Sequence, residues 1–156
     1  MKENLRFERL ETPLGPLYAV FSGEELAGVS MERPRGVKAG RVPDSFKKQM
    51  RAYFEGALRA FDQKIAILSG TEFEKSVWLT LRDIPYGETR TYGWLSERIG
   101  RHGAQRAVGQ ALARNPVPIV LPCHRVIESS GRLGGYSSGV EIKRRLLDME
   151  YYHSVR

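Results

Sequence analysis

One cysteine, Cys123, lies directly before His124 in the segment Pro122–Val126 of this 156-residue chain. A thiol becomes a strong nucleophile when a base removes its proton, and a histidine side chain can act as that base. Neighbouring residues of an extended segment point to opposite sides, so His124 would reach the thiol only through a kink or a bridging water. The pair predicts nucleophilic chemistry at Cys123; the competing interpretation is a cysteine that only fills the core.

A nucleophile and base of this kind need a third group that orients the histidine. Spacing alone does not choose among three glutamates that follow the pair, Glu128, Glu141 and Glu150. Between them, the Gly/Ser-rich segment 129–139 contains a single aromatic residue. We predict that this segment is a loop that closes over a flat ligand and offers backbone N–H groups to it.

The residue counts argue against several kinds of site. A single cysteine excludes an internal disulfide and a cysteine-rich zinc site, and three dispersed histidines do not form a metal-binding pattern. We therefore expect no metal and no cofactor. The sequence has no apolar run long enough to span a bilayer and no secretory signal, so we expect a cytoplasmic protein without a membrane partner.

The chain is basic, with 25 Lys and Arg against 18 Asp and Glu and a formal net charge of +7. This excess favours a polyanionic partner such as nucleic acid. Four arginines fall in or beside two predicted short helices: Arg98, Arg101, Arg106 and Arg114.

Residues 1–70 are predicted to form an N-terminal α/β domain that ends in a connector. Three short strands are expected within residues 5–31, followed by a basic surface loop over 32–43. Apolar residues at helical spacing predict a helix from Asp44 to Gly56. The connector includes a candidate strand over 64–68.

Residues 71–156 are predicted to form a second, mostly helical domain. Thr71 and Glu74 match a capping box at the start of its first helix. Thr91 is expected to cap a helix over 92–99, and a tight turn leads to another over 104–114, which together predict a helix-turn-helix.

Two further segments complete this domain. The sequence "VPIVL", residues 117–121, is predicted to be a short buried strand or extended segment. A last helix over about 140–150 is expected to carry Ile142, Leu146, Leu147 and Met149 inward and Lys143, Arg144 and Arg145 outward.

The second helix of the predicted helix-turn-helix offers few side chains that could read base edges. Its face of Ala107, Gly109, Gln110 and Ala113 is mostly small, which suits close approach to the minor groove, and Arg106 near its start can enter the groove or the base stack. The alternative is that these small residues only allow tight packing inside the protein.

The segment "NPVPIVLPCHRVIESSGRLGGYSSG", residues 115–139, resembles the active-site signature of O6-alkylguanine-DNA alkyltransferases, also called methylated-DNA–protein-cysteine methyltransferases. The match is strong over residues 73–150 and loose over 1–70. The resemblance implies an α+β fold, with a small N-terminal ribonuclease-H-like sheet and helix and a mostly helical C-terminal domain containing a helix-turn-helix.

The resemblance also implies an activity. Such a protein binds double-stranded DNA containing O6-alkylguanine through the minor groove, as a monomer, and flips the damaged base into a pocket. It then transfers the alkyl group irreversibly to Cys123 in a single turnover. Some members hold zinc in their N-terminal half, but this chain has no cysteine or histidine before His102.

Individual roles follow from the resemblance by position. Cys123 would accept the alkyl group, His124 would remove its proton through a water, and Glu150 would orient His124. Tyr92 would donate a proton to the guanine ring, and Asn115 would support the cysteine. The implied substrate pocket uses Tyr136, Ser137 and Val126, and the implied DNA contacts are Thr91, Arg106, Ala107 and Gly109.

Two other functions compete with this one. A cysteine hydrolase using Cys123 and His124 would turn over and would not depend on DNA. A non-enzymatic lesion sensor of the alkyltransferase-like kind would bind DNA without repair, but those proteins lack the acceptor cysteine that this chain has.

Overall fold

A computed structural model describes residues 4–155, and the chain divides into two compact units between Ser69 and Gly70. The described residues form a mixed α/β fold with a small sheet and five helices. None of the helices within residues 4–155 is both long and apolar enough to span a bilayer.

The sheet of the first unit confirms the three predicted strands. Strands β1 (Leu5–Thr12), β2 (Gly15–Ser22) and β3 (Glu25–Ser30) form an antiparallel meander whose buried residues alternate along β2. Strand β4 (Lys38–Ala39) pairs in parallel with β1, giving the order β3-β2-β1-β4. The prediction of a loop throughout 32–43 is therefore wrong at these two residues, because backbone pairing with an open strand edge outweighs their weak local propensity.

Helix α1 (Asp44–Phe54) packs against the apolar face of the sheet and confirms the helix predicted from Asp44. It buries Phe46, Met50 and Tyr53, which share one helical face. The candidate strand over 64–68 is present only as one isolated β-bridge to strand β3. Leu26 donates to the Lys64 carbonyl at 2.9 Å and accepts from Ala66 at 2.8 Å, so this edge carries only a single pairing site.

The second unit contains four helices, α2 (Glu72–Thr80), α3 (Tyr92–Arg98), α4 (Gln105–Ala113) and α5 (Val140–Ser154). The predicted capping box is confirmed, because Glu74 N–H donates to Thr71 Oγ1 and Thr71 N–H donates to Glu74 Oε1, both at 3.0 Å. The predicted cap at Thr91 is also confirmed, since its hydroxyl accepts from the Trp94 N–H at 3.0 Å.

Helices α2 and α4 meet through a buried tryptophan. The Trp78 indole donates to the Ala111 carbonyl at 2.7 Å. The turn between α3 and α4 is held by the buried Ser96, whose hydroxyl donates to the Arg101 carbonyl and accepts from the Ala104 N–H at 2.9 Å. These bonds fix the start of α4 relative to α3.

Two features differ from the sequence-based expectation. Residues 117–121 are buried but make a turn rather than a strand, with Ile119 at a φ of 78°. Asn115 explains this, because its side chain accepts from the Val117 N–H at 3.0 Å and donates to the Leu121 carbonyl at 2.8 Å in place of a neighbouring strand.

Helix α5 runs to Ser154, four residues beyond the predicted end near 150, and its faces are also partly mispredicted. Lys143, expected to point outward, is fully buried together with Leu146 and Glu150. Ile142, Leu147 and Met149 are only partly buried. Helical periodicity could not reveal buried carbonyl groups that receive a lysine.

Candidate active site

Cys123 begins a single 3₁₀ turn, Cys123–Arg125, which leads into the short strand β6 (Val126–Ile127). Strand β6 pairs in parallel with β5 (Arg90–Thr91). The turn supplies the backbone irregularity that the Cys-His pair requires, and both Cys123 and His124 are buried.

The His124 ring is held by a buried carboxylate. Its Nε2 lies 2.7 Å from Oε2 of Glu150, and neither side chain is measurably exposed. A carboxylate can only accept hydrogen bonds, so Nε2 carries the proton in the neutral ring and Nδ1 carries a lone pair. Nδ1 is buried and accepts no hydrogen bond from residues 4–155. The imidazole therefore presents an unused basic nitrogen inside the unit.

Arg125 binds the same carboxylate from the other side. Its Nε and Nη2 donate to the two oxygens of Glu150 at 2.8 and 3.0 Å, and Nη1 donates to the Ile84 carbonyl at 2.8 Å. Burial acts to raise the pKa of Glu150, but His124 and Arg125 outweigh it and hold that pKa well below its usual range. Glu150 is therefore ionised at neutral pH.

Burial lowers the pKa of His124, and the opposing charge of Glu150 only partly offsets this effect. The ring is therefore neutral at pH 7 and can accept a proton. Of the three glutamates that spacing left open, only Glu150 lies in the buried network around His124; Glu128 and Glu141 are exposed.

The thiol of Cys123 is not activated in the resting protein. Burial raises its pKa to about 11, although hydrogen bonds from Asn115 and Tyr136 and the charge of Lys143 oppose the rise. At neutral pH the group is a protonated thiol. Its conversion to a nucleophile needs a base, and the neutral His124 that follows it in sequence has a basic nitrogen available.

A cavity of about 760 Å³ opens in front of the cysteine. Of the predicted site residues, it brings together Thr91, Tyr92, Arg106, Gly109, Cys123, Tyr136 and Ser137. The other predicted residues do not line it. His124 and Glu150 are buried and bonded to each other, and Asn115 hydrogen-bonds the Cys123 thiol. Val126 is buried with its carbonyl oxygen accepting from Lys143, and Ala107 is exposed on α4.

Tyr92 forms one wall of this cavity. Burial raises the pKa of its phenol, as do the charges of Glu128 and Cys123, so the hydroxyl keeps its proton at neutral pH. Gly134 lies against it with a φ of 76°, and any side chain there would collide with the Tyr92 hydroxyl. The loop can therefore approach the phenol only through a glycine.

No group of three or more His, Cys, Asp and Glu side chains within residues 4–155 is arranged to hold a metal ion. The groups that the described residues offer for chemistry are the thiol, the imidazole–carboxylate pair and the phenol.

Comparisons with known proteins show the family of the chain. The family model described as "6-O-methylguanine DNA methyltransferase, DNA binding domain" matches residues 72–152. A methylated-DNA–protein-cysteine methyltransferase from Methanosarcina acetivorans is 47% identical over 150 residues, which cover 90% of this chain and 94% of the relative. The chain belongs to the methylated-DNA–protein-cysteine methyltransferase family.

Solved structures extend the likeness to the fold. The O6-methylguanine methyltransferase of Mycobacterium tuberculosis has a TM-score of 0.90 at 38% identity, covering 96% of this chain and 94% of its own. The Mycobacterium tuberculosis protein named OGT, solved in complex with DNA, also has a TM-score of 0.90, at 39% identity, covering 95% of this chain and 94% of its own. The mixed α/β fold is thus that of the methyltransferase family.

Two residues of this methyltransferase-family site were missed from the sequence. Arg125 follows the Cys-His pair directly, but nothing in its spacing shows that it neutralises Glu150. Lys143 donates to the carbonyls of Val126 and Gly135 at 2.7 and 3.1 Å, and burial lowers its pKa to about 8. It fixes the loop to β6 beside the thiol.

Proposed function

We propose that this protein repairs DNA by direct reversal, moving the alkyl group of O6-alkylguanine to Cys123 irreversibly and in a single turnover. The observation that carries the proposal is a buried thiol that opens onto a cavity and is backed by a histidine bound to a buried carboxylate. Alkyl transfer from an ether oxygen needs a soft nucleophile and a stabilised leaving group, which these residue types supply.

The proposed reaction moves the alkyl group to the thiol and a proton to guanine. His124 takes the thiol proton at Nδ1 through a bridging water, and Glu150 with Arg125 holds the resulting imidazolium in place. A bond forms between Sγ of Cys123 and the alkyl carbon while the bond from that carbon to O6 breaks. The electron pair stays on the base, and Tyr92 gives a proton to the ring, so that guanine leaves neutral. His124 then gives up its added proton and the Tyr92 phenolate regains one, so in sum one proton moves from the thiol to guanine.

Other residues position the base. Tyr136 and Ser137, on the Gly/Ser-rich loop, would line the pocket, with Lys143 holding that loop against β6. Asn115 would keep the cysteine in place through its bonds to the turn and the thiol. The Val126 carbonyl already accepts a hydrogen bond from Lys143. To bind the flipped base as well, the same oxygen would accept a second hydrogen bond.

The DNA-binding mode belongs to the same proposal. Helices α3 and α4 would act as a helix-turn-helix that enters the minor groove, with Arg106 filling the space of the flipped nucleotide and Thr91, Ala107 and Gly109 against the groove. The support is that Arg106 and Ala107 are exposed on α4 while Arg106 and Gly109 also line the cavity. Small side chains permit contact with any sequence.

We further propose the overall organisation that the family resemblance implies. Residues 1–70 would be a ribonuclease-H-like N-terminal domain, and residues 71–156 the DNA-binding and active-site domain. The protein would act as a cytoplasmic monomer, because one lesion and one cysteine complete the reaction.

A duplex carrying one O6-methylguanine tests the function. With lesion in molar excess over protein, nucleoside analysis of the DNA should show restored guanine rising to one equivalent per protein and then stopping. Continued turnover would favour a hydrolytic enzyme, and binding without restored guanine would favour a lesion sensor.

A further inference from the structure

Glu128 is a carboxylate in a cavity that serves a polyanionic substrate. It lines the same cavity as Cys123 and Tyr92, and it is the only acidic residue among the described residues that do so. The family resemblance and the proposed reaction give it no role. A negative charge here opposes DNA binding in general, so its presence calls for a physical explanation.

The strand register places Glu128 next to Tyr92. In the parallel pair of β5 and β6, Arg90 is opposite Val126 and Thr91 is opposite Ile127. Tyr92 directly follows strand β5 and Glu128 directly follows strand β6. Because the two strands are parallel, both residues lie at the same end of the strand pair. Both residues line the cavity.

The backbone at Glu128 is held by a closed turn. Its N–H donates to the Arg132 carbonyl at 2.9 Å, and its carbonyl accepts from the Gly131 N–H at 2.9 Å. The charge reaches the reacting groups, because it raises the pKa of the Tyr92 phenol and acts against the fall in the pKa of Lys143. Its field is therefore felt inside the cavity, although the residue is exposed to solvent.

We propose that Glu128 gives this site charge selectivity, so that it accepts neutral and cationic O6-alkyl groups and discriminates against anionic ones. The inference rests on the proposed function and names its substrate class. The alkyl group must lie between the guanine oxygen and Sγ of Cys123 during transfer, so a charged end of that group shares the cavity with the Glu128 carboxylate. The bonds made and broken are the same for every alkyl group.

Two cations oppose this selectivity: Arg106, which lines the cavity, and Lys143, whose charge acts on Cys123 from outside the lining. Lys143 is fully buried and donates to two carbonyls, while Arg106 is exposed at the cavity's edge. Glu128→Gln leaves Arg106 in place and removes a charge that raises the pKa of Lys143. A less protonated Lys143 would lower the ratio of anionic to neutral transfer, so a rise in that ratio reports the loss of the carboxylate.

The test compares two nearly isosteric lesions, O6-carboxymethylguanine, which is anionic, and O6-carbamoylmethylguanine, which is neutral. Each is placed in the same duplex, and single-turnover transfer to protein is followed by intact mass. The measured quantity is the rate ratio of anionic to neutral lesion, in which general effects on DNA binding cancel. Glu128→Gln should raise this ratio about three- to ten-fold, the range expected for unit charges a few ångströms apart at an aqueous boundary.

Glu141→Gln is the matched control. Glu141 is also exposed and in the same unit but does not line the cavity, so its substitution should leave the ratio unchanged. The effect of Glu128→Gln should also shrink at high salt, because charges at an aqueous boundary are screened. A duplex with O6-methylguanine, whose alkyl group is uncharged, should react with all three proteins.

The outcomes separate the two proposals. If O6-methylguanine is repaired and Glu128→Gln leaves the ratio within two-fold of the unsubstituted protein, charge selectivity by Glu128 is overturned and the alkyltransferase function stands. If O6-methylguanine transfers nothing to the protein, the function fails and the selectivity fails with it.

Discussion

Burial sets the chemistry of Cys123 more strongly than its neighbours do. A thiol with a pKa of about 11 should react slowly with a small electrophile such as iodoacetamide at pH 7. We expect the alkylation rate to rise about ten-fold per pH unit up to pH 9.5 without levelling, as followed by mass spectrometry. A plateau at or below pH 8 would contradict the account, and circular dichroism at each pH checks that the fold persists.

Glu150 is a fully buried charge of the site, and its removal should be costly. Glu150→Gln leaves the Arg125 guanidinium buried without its counter-charge, so the free energy of unfolding should fall by about 3–5 kcal/mol in urea denaturation. Glu141→Gln, an exposed change on the same helix, should stay within about 0.5 kcal/mol. A loss below about 1 kcal/mol in Glu150→Gln would show that the buried ion pair is not needed.

The buried pair of His124 and Glu150 predicts how stability depends on pH. The folded chain holds the pKa of His124 and of Glu150 below their ordinary values of 6.5 and 4.5. The unfolded chain therefore binds more protons in acid, and stability should fall as the pH drops through 6.5 and again through 4.5. Urea denaturation at several pH values measures this trend, and a free energy of unfolding that stays constant between pH 7 and 5 would contradict it.

The residue scale also shows where sequence reasoning ends. The Cys123–His124 pair was visible from its residue types, and its likeness to a known signature supplied the role of Glu150. Lys143 was assigned to the wrong face, because periodicity places a long cation in solvent unless distant carbonyls are known to receive it. Those carbonyls belong to Val126 and Gly135, and only the folded chain brings them together.

Among the elements, the loop 129–139 carries the sharpest steric requirement. Gly134 and Gly131 both have left-handed backbones, but only at Gly134 would a side chain meet Tyr92. Gly131→Ala should therefore cost about 1 kcal/mol of stability from backbone strain, and Gly134→Ala should cost more, because its side chain also collides with Tyr92. Only Gly134→Ala should also slow alkyl transfer strongly, because it displaces the phenol or the loop.

Single-turnover rates and urea denaturation of the two glycine variants measure this difference. Equal rates in both variants would mean that contact between the loop and Tyr92 does not position the proton donor. The expected pattern is a larger loss of stability and a slower transfer in Gly134→Ala than in Gly131→Ala.

The elements themselves differ in how well local sequence specifies them. The capping residues Thr71 and Thr91 identified two helix starts, because a cap is a local hydrogen bond. Residues 117–121 were apolar enough for a strand, but an asparagine side chain several residues away satisfies their backbone instead. Strand β4 was missed for a different reason, because a strand of two residues is too short to show a periodic pattern.

For the whole molecule, we propose that the net charge of +7 and the exposed Arg106 serve DNA binding rather than the chemical step. Arg106→Ala should slow repair of O6-methylguanine in duplex DNA by about ten-fold or more, because stabilising a flipped base requires energy of a few kcal/mol. Its reaction with the free base O6-benzylguanine should change little.

The comparison of duplex and free base is made in single-turnover assays on one preparation of each protein. Arg114→Ala serves as the control, because Arg114 is an exposed arginine paired with Glu74 that does not line the cavity. Equal losses with duplex and free base in Arg106→Ala would argue against a role in base flipping.

The central claim is that Cys123 is consumed by its reaction, and intact mass spectrometry tests it most directly. After incubation with excess duplex containing O6-methylguanine, the account predicts a gain of one methyl group per chain, located on Cys123 by peptide mapping, and no gain in Cys123→Ala. An unmodified protein beside fully repaired DNA, or a methyl group on any other residue, would contradict it.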